Sequence, residues 1–397
     1  LRQGMRGVTR SGKRPGWYLQ LDIANFFMSV DLPVLRGLVL PRIRDPQARW
    51  LATLLLADDA NRQAVLRASP RLAAAVPPHK SLFAQPVGKG LPIGNHTSQF
   101  FANVYLDGLD QFVKHRLRCR HYLRYCDDFV LLSEDPGQLA RWRDEIGQWL
   151  LKERRLALNA RQRLSRVSDG VDFLGYVVRP DYTLVRRRVV NNMKARITGL
   201  SRLLHSGANG RVWQRFEAST VAALQAALAS YAGHLKWADA RRLERNVLDV
   251  HPWIDDFLWR PPRTSTHRAR ALEPRACASA RAQYRWFRAQ RPADLLFFQV
   301  GPFFEFLEPG EDDAAHALGL RRLGTNRRGA RHGFPRDRLP EFVRRAAALG
   351  RSISIVMEDD GPYAGRVKRR RMAWRVLALP AAPVLASAEQ TVVQLHP

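Results

Sequence analysis

Three aspartates in this sequence have the spacing that metal-dependent chemistry requires. Asp22 ends an apolar run, WYLQLD, and Asp127 and Asp128 interrupt a second one, HYLRYCDDFVLLS. Two divalent ions about 4 Å apart can stabilise the attacking and leaving oxygens of a phosphoryl group while negative charge grows on both. Mg²⁺ prefers hard oxygen ligands and keeps several waters, so two or three aspartates on neighbouring strand ends suffice. The pattern therefore indicates nucleotidyl transfer.

Adjacent aspartates alone are not specific to such a site. The chain contains five such pairs: Asp58/Asp59, Asp127/Asp128, Asp255/Asp256, Asp312/Asp313 and Asp359/Asp360. Order and spacing favour the second pair. The strand-borne Asp22 comes first, a Gly-containing turn into a helix follows about 70 residues later, and the Asp-Asp pair comes next.

The elements that carry these residues can be predicted from periodicity. Residues 17–30 are expected to begin as a strand with Asp22 at its end, and residues 97–117 form a long helix with Thr97 or Ser98 as its N-cap. Residues 121–133 are expected to form a hairpin with the carboxylates at its tip. A helix from Asp135 and Pro136 to about residue 153, a strand at 172–178 and a basic, largely helical region at 189–258 follow.

The composition predicts a polyanionic partner. Lys and Arg number 65 against 36 Asp and Glu, which gives a formal charge of +29, and nucleic acid is the commonest partner of so basic a chain. Cys119, Cys126 and Cys277 are scattered, so neither a disulfide framework nor a zinc site is indicated. No run approaches the ~18 apolar residues of a membrane span. We expect a cytoplasmic, bacterial or phage-encoded protein without a membrane partner.

Four ordered motifs resemble the palm of reverse transcriptases. LDIANFF is similar to their first metal-binding motif, LPIGNHTSQFFANVYL to the template- and nucleotide-binding motif, YCDD to the second metal-binding motif, and DFLGY to the primer-grip region. The resemblance covers about residues 1–250. It implies an RNA-directed DNA polymerase, a nucleotidyltransferase that uses dNTPs, a template RNA and a cDNA or DNA duplex.

The resemblance also implies roles for individual residues. Asp22 and Asp127 would be ligands of two Mg²⁺ ions, with Mn²⁺ as an alternative, Asp128 a supporting carboxylate and the Ile23 carbonyl a further oxygen ligand. Phe27 would exclude a ribose 2′-hydroxyl, although a core phenylalanine would explain it too. The remaining contacts would come from Ile93, Gly94, Ser98 and Gln99 for nucleotide and template, and from Phe173, Leu174, Gly175 and Tyr176 for the primer grip.

One departure from the general motif of reverse transcriptases indicates a particular group of these enzymes. Most reverse transcriptases have Gln where Ile93 stands and Pro where Gln99 stands. The string around GNHTSQ is similar instead to the reverse transcriptases of diversity-generating retroelements, which copy an RNA with frequent errors at adenines. Replacing an amide by an apolar side chain removes a hydrogen bond that discriminates geometry. Gly94 would permit close backbone approach, although an ordinary turn glycine would explain it too.

The C-terminal part of the chain resembles a second family. YRWFRAQRPADLLFFQVGPFFEFL is similar to the opening of the N-terminal mismatch-recognition domain of MutS repair proteins, and Phe303 and Glu305 fall on its Phe-x-Glu motif. In that family the Phe wedges against a mispaired base and the Glu hydrogen-bonds to it. The alternative is that Phe303 is a core aromatic.

We therefore expect an α+β protein with a right-hand polymerase palm, built on an antiparallel sheet like that of RNA-recognition motifs, a helical thumb and a small α/β MutS-like domain. The expected domains are a palm at 1–185 that lacks most of its fingers, a thumb at 186–259, a basic linker at 260–281, the MutS-like domain at 282–380 and a tail at 381–397. An accessory protein is a further expected partner. The alternatives are a defence-associated or group II intron-like reverse transcriptase, and a non-catalytic nucleic-acid-binding scaffold.

Overall fold

The computed structural model describes residues 1–57, 67, 69–208, 211–261, 266–274, 277, 279–324, 330–359 and 367–378. The expected tail lies outside these residues. The chain forms two compact units, Leu1–Arg186 and Arg187–Pro397. Within the described part, no helix combines the length and apolarity that a bilayer span needs.

The first unit mixes helices with short strands. In chain order they are α1 (Arg2–Thr9), β1 (Trp17–Asp22), α2 (Phe26–Ser29), α3 (Leu32–Val39), α4 (Pro46–Ala57), α5 (Pro70–Ala74), α6 (His96–Gln111), β2 (His121–Tyr125), β3 (Asp128–Ser133), α7 (Pro136–Trp149), β4 (Arg163–Arg166), β5 (Val171–Phe173), β6 (Tyr176–Val178) and β7 (Thr183–Val185). Short 3₁₀ turns span Leu40–Arg42, Pro78–Lys80, Leu82–Ala84 and Val167–Asp169, and π turns span Phe112–Arg116 and Leu150–Arg154.

Four antiparallel strands form the main sheet of this unit, in the order β2-β3-β1-β4. Alternate residues of a strand face opposite sides of a sheet. On one side Leu19 and Leu21 pack in a core that includes residues of α3, α6 and α7. On the other side Tyr18 packs with residues of α1 and of the β5–β6 hairpin. Both faces are covered, which explains why the central strands are apolar throughout.

The second unit continues with α8 (Arg187–Leu204), β8 (His205–Ala208), β9 (Arg211–Arg215), α9 (Ala218–Leu235), α10 (Arg241–Asp249), α11 (Ile254–Phe257), β10 (Leu258–Trp259), β11 (Arg268–Ala269), α12 (Ala280–Gln290), β12 (Leu295–Val300), β13 (Phe303–Phe306), α13 (Asp312–Ala317), β14 (His332–Pro335), α14 (Leu339–Ala348), β15 (Ile353–Glu358) and β16 (Arg370–Val376). Single 3₁₀ turns span Pro309–Glu311 and Arg336–Arg338.

Seven strands of this unit form one sheet, in the order β14-β13-β12-β15-β16-β9-β8. Strands β12 and β15 are parallel, as a connection through helices requires. Phe297, Phe304, Phe334 and Phe342 form the centre of the core on one face. The sheet includes the β8–β9 hairpin, which lies in the segment that the sequence analysis assigns to the helical thumb.

The observed elements confirm the expected α+β class and differ locally from the expected ones. The strand expected at 172–178 is a hairpin, because Leu174 (φ 53°) and Gly175 (φ 87°) adopt the left-handed conformations of a two-residue turn. Residues 205–208 and 211–215 form strands within the region expected to be largely helical, because β9 pairs with β16. Helix α6 begins after Asn95 rather than at Thr97 or Ser98.

Candidate active site

Strand pairing brings the three aspartates to one end of the first sheet. Asp22, the last residue of β1, pairs with Asp128, the first residue of β3, and Asp128 also pairs with Tyr125 of β2. Cys126 and Asp127 form the tip between β2 and β3, where Cys126 has a left-handed φ of 54°. The hairpin predicted from the sequence is therefore present, with the carboxylates at its tip.

The three carboxylates are close enough to repel one another. Burial raises the pKa of Asp127, and the negative charges of Asp22 and Asp128 raise it further. The carboxyl groups of Asp127 and Asp22 also lie within hydrogen-bonding reach of each other. Burial likewise raises the pKa of Asp128, and the charges of Asp22 and Asp172 add to this increase. Within the described part of the chain, the negative charges of these three carboxylates are therefore not balanced by neighbouring positive charges.

Asn159 fixes the orientation of Asp22. Its side-chain Nδ2 donates to Asp22 Oδ2 at 2.9 Å, and its backbone N–H donates to the Asp22 carbonyl oxygen at 2.7 Å. The neighbouring residues Ile23 and Leu158 form an antiparallel bridge in which Ala24 and Asp22, rather than Ile23, make the hydrogen bonds. The carbonyl of Ile23 therefore points to the opposite side of the strand, the side of β3 and Asp127.

Asp128 belongs to a separate hydrogen-bond network. Gln20 Nε2 donates to Asp128 Oδ1 at 3.2 Å and to the backbone oxygen of Asp172 at 3.0 Å. The Asp172 carboxylate accepts both Nε (2.6 Å) and Nη2 of Arg186. Gln20 thus occupies one oxygen of Asp128, as Asn159 occupies one oxygen of Asp22.

The pair suits a divalent cation whose other ligands are water and substrate. Among the described residues, no three His, Cys, Asp or Glu side chains are arranged to hold a metal by themselves. Mg²⁺ nevertheless is usually bound through one or two carboxylates plus waters and substrate phosphates. Asp22 and Asp127 meet that description, because their hard carboxylate oxygens lie close together and their negative charges attract a cation.

The residues expected to contact nucleotide and template lie around the loop before α6. The Leu91 N–H donates to the Phe27 carbonyl oxygen at 2.7 Å, which ties this loop to the segment that follows Asp22. Phe27 is half-buried and packs edge-on against Phe26, with the ring centroids 5.6 Å apart. Ile93 is 74% exposed, so its side chain is not part of the core.

The next expected contact residues, Gly94 of this loop and Ser98 and Gln99 of the first turn of α6, differ in exposure. Gly94 has a φ of 106°, a conformation that side chains rarely adopt, and nothing lies within 4 Å of the position that a Cβ would take. Ser98 is buried, whereas Gln99 is exposed. The structure therefore presents Ile93, Gly94 and Gln99 at the surface and encloses Ser98.

The four expected primer-grip residues occupy the β5–β6 hairpin. Phe173 is buried and Tyr176 packs beside it in the second core of this unit, whereas Leu174 at the tip is 44% exposed. Gly175 accepts a hydrogen bond from the Arg186 N–H at 2.9 Å. Because Gln20 bonds to Asp172, this hairpin is linked directly to the strand that carries Asp22.

The two expected mismatch-reading residues differ in accessibility. Phe303 is 43% exposed at the start of β13, whereas Glu305 is only 7% exposed and pairs with Phe298 of β12. Phe303 is therefore accessible to a ligand, but Glu305 does not present an open carboxylate at the surface. The resemblance implies that both side chains contact a base, and of the two only Phe303 is accessible to one.

Comparisons with known proteins address both parts of the chain. Residues 3–178 match the profile of the family described as Reverse transcriptase (RNA-dependent DNA polymerase). Solved structures that resemble the chain include an apo telomerase from Candida tropicalis truncated from its C-terminal domain, with 13% identity, 45% of this chain and 37% of that chain covered, and a TM-score of 0.28. Another is the Candida tropicalis telomerase in complex with a TWJ fragment of telomeric RNA, with 12% identity, 64% and 40% coverage and a TM-score of 0.35.

The curated relatives are DNA mismatch repair proteins MutS of Rhodopseudomonas palustris. That of strain HaA2 is 27% identical over 130 residues, which are 31% of this chain and 13% of that protein. That of strain BisB18 is 28% identical over 91 residues, or 22% and 10% of the two proteins. The chain thus matches only about a tenth of the length of these relatives.

The family match includes all three aspartates of the β1–β3 site and ends with the β5–β6 hairpin. Residues 3–178 are therefore similar to the reverse transcriptase family of RNA-dependent DNA polymerases.

Proposed function

We propose that this chain is an RNA-directed DNA polymerase that uses Asp22, Asp127 and Asp128 to copy a template RNA into cDNA. One observation carries the proposal. The chain has a formal charge of +29, yet no Lys or Arg of the described residues bonds to the neighbouring carboxylates of Asp22 and Asp127. A structural site in so basic a protein would be neutralised by Arg or Lys, whereas a divalent-ion site must keep its carboxylates available.

The roles of the protein groups follow from the geometry. Asp22, Asp127 and the Ile23 carbonyl would hold the ions, whose positive charge supplies Lewis-acid stabilisation at the transferring phosphoryl group. Asn159 keeps one oxygen of Asp22 occupied and so orients the other. Gln20 keeps Asp128 beside the pair, where its negative charge increases the affinity of the site for cations. Phe27, Gly94 and Gln99 would face the incoming nucleotide and the template.

We further propose that the polymerase is of the diversity-generating, error-prone type. The support is the apolar Ile93 next to the string GNHTSQ, and the 74% exposure of its side chain makes it accessible to a nucleotide. A contact of Ile93 with the incoming nucleotide would lack an orienting amide. The MutS-like segment would then read mispaired or unstacked bases through Phe303.

The test of polymerisation is primer extension on an RNA template with the full-length natural protein. Asp22→Ala and Asp127→Ala should each reduce the rate of extension about a thousandfold or more. Metal ions stabilise the transition state by several kcal/mol, and each ~1.4 kcal/mol corresponds to a tenfold change in rate. RNA binding should stay nearly intact, since phosphate contacts by Lys and Arg supply most of it.

Glu145→Ala is the matched control, because Glu145 is an exposed carboxylate of α7 in the same unit. It should extend primers normally. Undiminished extension in both aspartate variants would exclude the assigned site, and RNA binding without any extension by the wild type would favour the non-catalytic scaffold.

A further inference from the structure

A cavity of about 280 Å³ lies in the second unit, away from the aspartates of the sheet in the first. Its walls come from α11, from the segment 270–272, from α12 and from β16. Two backbone hydrogen bonds hold the segment 270–272 in place. The Arg270 N–H donates to the Phe257 oxygen and the Met372 N–H to the Leu272 oxygen, both at 2.8 Å. The cavity is thus a preformed feature of this unit.

Some charged groups of the lining are already fully engaged. Asp256 accepts from Gln214 Nε2 at 2.7 Å, from Arg375 Nη1 at 2.7 Å and from Arg291 Nη1 at 3.2 Å. The Arg291 guanidinium also lies over the Phe216 ring, 5.2 Å from its centroid. These groups stabilise the wall and have little capacity left for a ligand.

Other polar groups of the lining remain available. Asp255 and Gln290 are exposed, and within the described residues no hydrogen bond engages the carboxylate of Asp255 or the amide of Gln290. Within the described residues, the Arg270 side chain donates through Nε alone, to the Asp255 backbone oxygen at 2.6 Å, which leaves its terminal nitrogens for a ligand. Trp286 is partly exposed and contributes an aromatic face.

We propose that this cavity binds a guanine nucleotide unit, with the base stacked on Trp286. A carboxylate accepts two parallel hydrogen bonds when a ligand offers adjacent N–H donors, and guanine has such donors at N1 and N2. Asp255 would read that edge, Gln290 would bond to a further polar atom of the base, and Arg270 would contact the phosphate. A small cavity with an aromatic wall and a few unsatisfied polar groups is the ordinary form of such a site.

The unit could come from a free mononucleotide or from an unstacked guanosine in a bound strand. Calorimetric titration of the whole chain in EDTA, which withholds divalent ions from the carboxylates of the first unit, compares GMP, IMP and AMP. Affinity should fall in that order, because inosine lacks the N2 donor and adenine lacks both. A bidentate contact predicts about 5- to 150-fold between GMP and AMP. The affinity for duplexes with one bulged guanosine or one bulged adenosine tests whether the unit is an unstacked guanosine of a bound strand.

Asp255→Asn should remove the guanine preference in whichever source shows it, because an amide offers one acceptor and one donor. Trp286→Leu should weaken binding of all three nucleotides by removing the stacking face. Asp249→Asn is the control of equal charge, on an exposed residue of α10 outside the lining. Primer extension should be unchanged in all three variants, so that this proposal and the polymerase assignment are tested separately.

Equal affinity for guanine and adenine in both sources would overturn the proposal. A guanine preference that survives both Asp255→Asn and Trp286→Leu would overturn it as well, since the preference would then arise elsewhere in the molecule.

Discussion

Asp127 and Asp128 reduce the stability of the first unit at neutral pH. The pKa of Asp127 and that of Asp128 are raised by burial and by neighbouring negative charges, so the native state disfavours their ionised forms. The protonated forms of these two groups favour the native state, and this stabilisation is fully present below the pKa that the groups have in the unfolded chain. It is lost as the pH rises through the pKa that they have in the folded chain. At neutral pH the ionised cluster therefore destabilises the domain.

A stability measurement can detect this effect. In EDTA, Asp127→Asn should raise the Tm at about pH 7, because it removes one of the repelling charges. The gain should disappear toward about pH 3, where the carboxyl groups of the wild type are protonated. Adding Mg²⁺ should raise the Tm of the wild type more than that of the variant, because a ligand stabilises only the state that binds it. A variant less stable than the wild type at neutral pH would contradict this account.

Asn159 provides a second prediction at this scale. Asn159→Ala removes the donor that orients the Asp22 carboxylate, and loss of such an outer contact typically costs 10- to 100-fold in metal affinity or activity. We expect a higher Mg²⁺ concentration for half-maximal primer extension and a lower kcat. The KM for dNTP should change little. An unchanged Mg²⁺ dependence would leave Asn159 with a purely structural role.

The sequence alone identifies the three aspartates but not their partners. Asp127 and Asp128 stand out because they interrupt an apolar hairpin pattern, and Asp22 because it ends a strand. Asn159 and Asp172 contact the site across 137 and 152 residues of chain, to Asp22 and Gln20 respectively. No local periodicity encodes contacts of that separation.

At the scale of elements, the loop before α6 and the segment after Asp22 act together. Backbone hydrogen bonds from Leu91 to Phe27 (2.7 Å) and from Gly90 to Val30 (2.8 Å) join them. Gly90 has a φ of 96°, a conformation that residues with a side chain rarely adopt, so a substitution there would strain the backbone. The loop therefore has a defined position, so the effect of a single substitution in it can be attributed to the side chain that is exchanged.

Ile93→Gln tests the proposed error-prone character. The side chain is 74% exposed, so the exchange should leave the Tm almost unchanged. An amide at this position would supply a hydrogen bond that discriminates between correct and incorrect nucleotide geometry. Sequencing of cDNA from an RNA template should show fewer misincorporations opposite adenine. Leu151→Gln, in the π turn Leu150–Arg154 and 67% exposed, is the control for adding an amide elsewhere in the first unit.

Two element predictions were wrong for reasons that the structure makes clear. The 172–178 segment alternates like one strand, but Leu174 and Gly175 reverse the chain. The β8–β9 hairpin is short and lies between two long helices, and its pairing with β16 joins residues about 160 positions apart. A partner strand so distant in sequence outweighs local preference for helix.

At the scale of the whole molecule, the C-terminal segment expected to be a separate domain shares one sheet with strands β8 and β9 of the expected thumb region. Helices α8 and α9, which are expected to form a thumb, and strands β12–β16, which are expected to form a MutS-like domain, belong to one compact unit. Trp213 of β9 packs beside Trp374 of β16 with the ring centroids 6.1 Å apart. A fragment that begins near residue 280 would lose β8 and β9 from the edge of the sheet and expose β16. Experiments on the appended segment therefore require the full chain.

The last prediction concerns that segment and Phe303. If Phe303 stacks on an unpaired or mispaired base, the full chain should bind a mismatched or bulged duplex more tightly than a matched one. Phe303→Ala should reduce this preference about 5- to 150-fold, the equivalent of the ~1–3 kcal/mol that stacking contributes per base. Leu349→Ala is the matched control, because Leu349 is exposed to the same 43% in the same unit.

Salt dependence separates this contact from the general attraction of a chain with a charge of +29. Affinity for every duplex should fall as salt rises, because phosphate contacts release counterions, whereas the ratio of mismatched to matched affinity should stay nearly constant because stacking releases none. Glu305→Gln should affect stability more than this ratio, since Glu305 is only 7% exposed. Equal affinities for the two duplexes at every salt concentration would leave the segment as a basic anchor, with Phe303 as an exposed aromatic of no reading function.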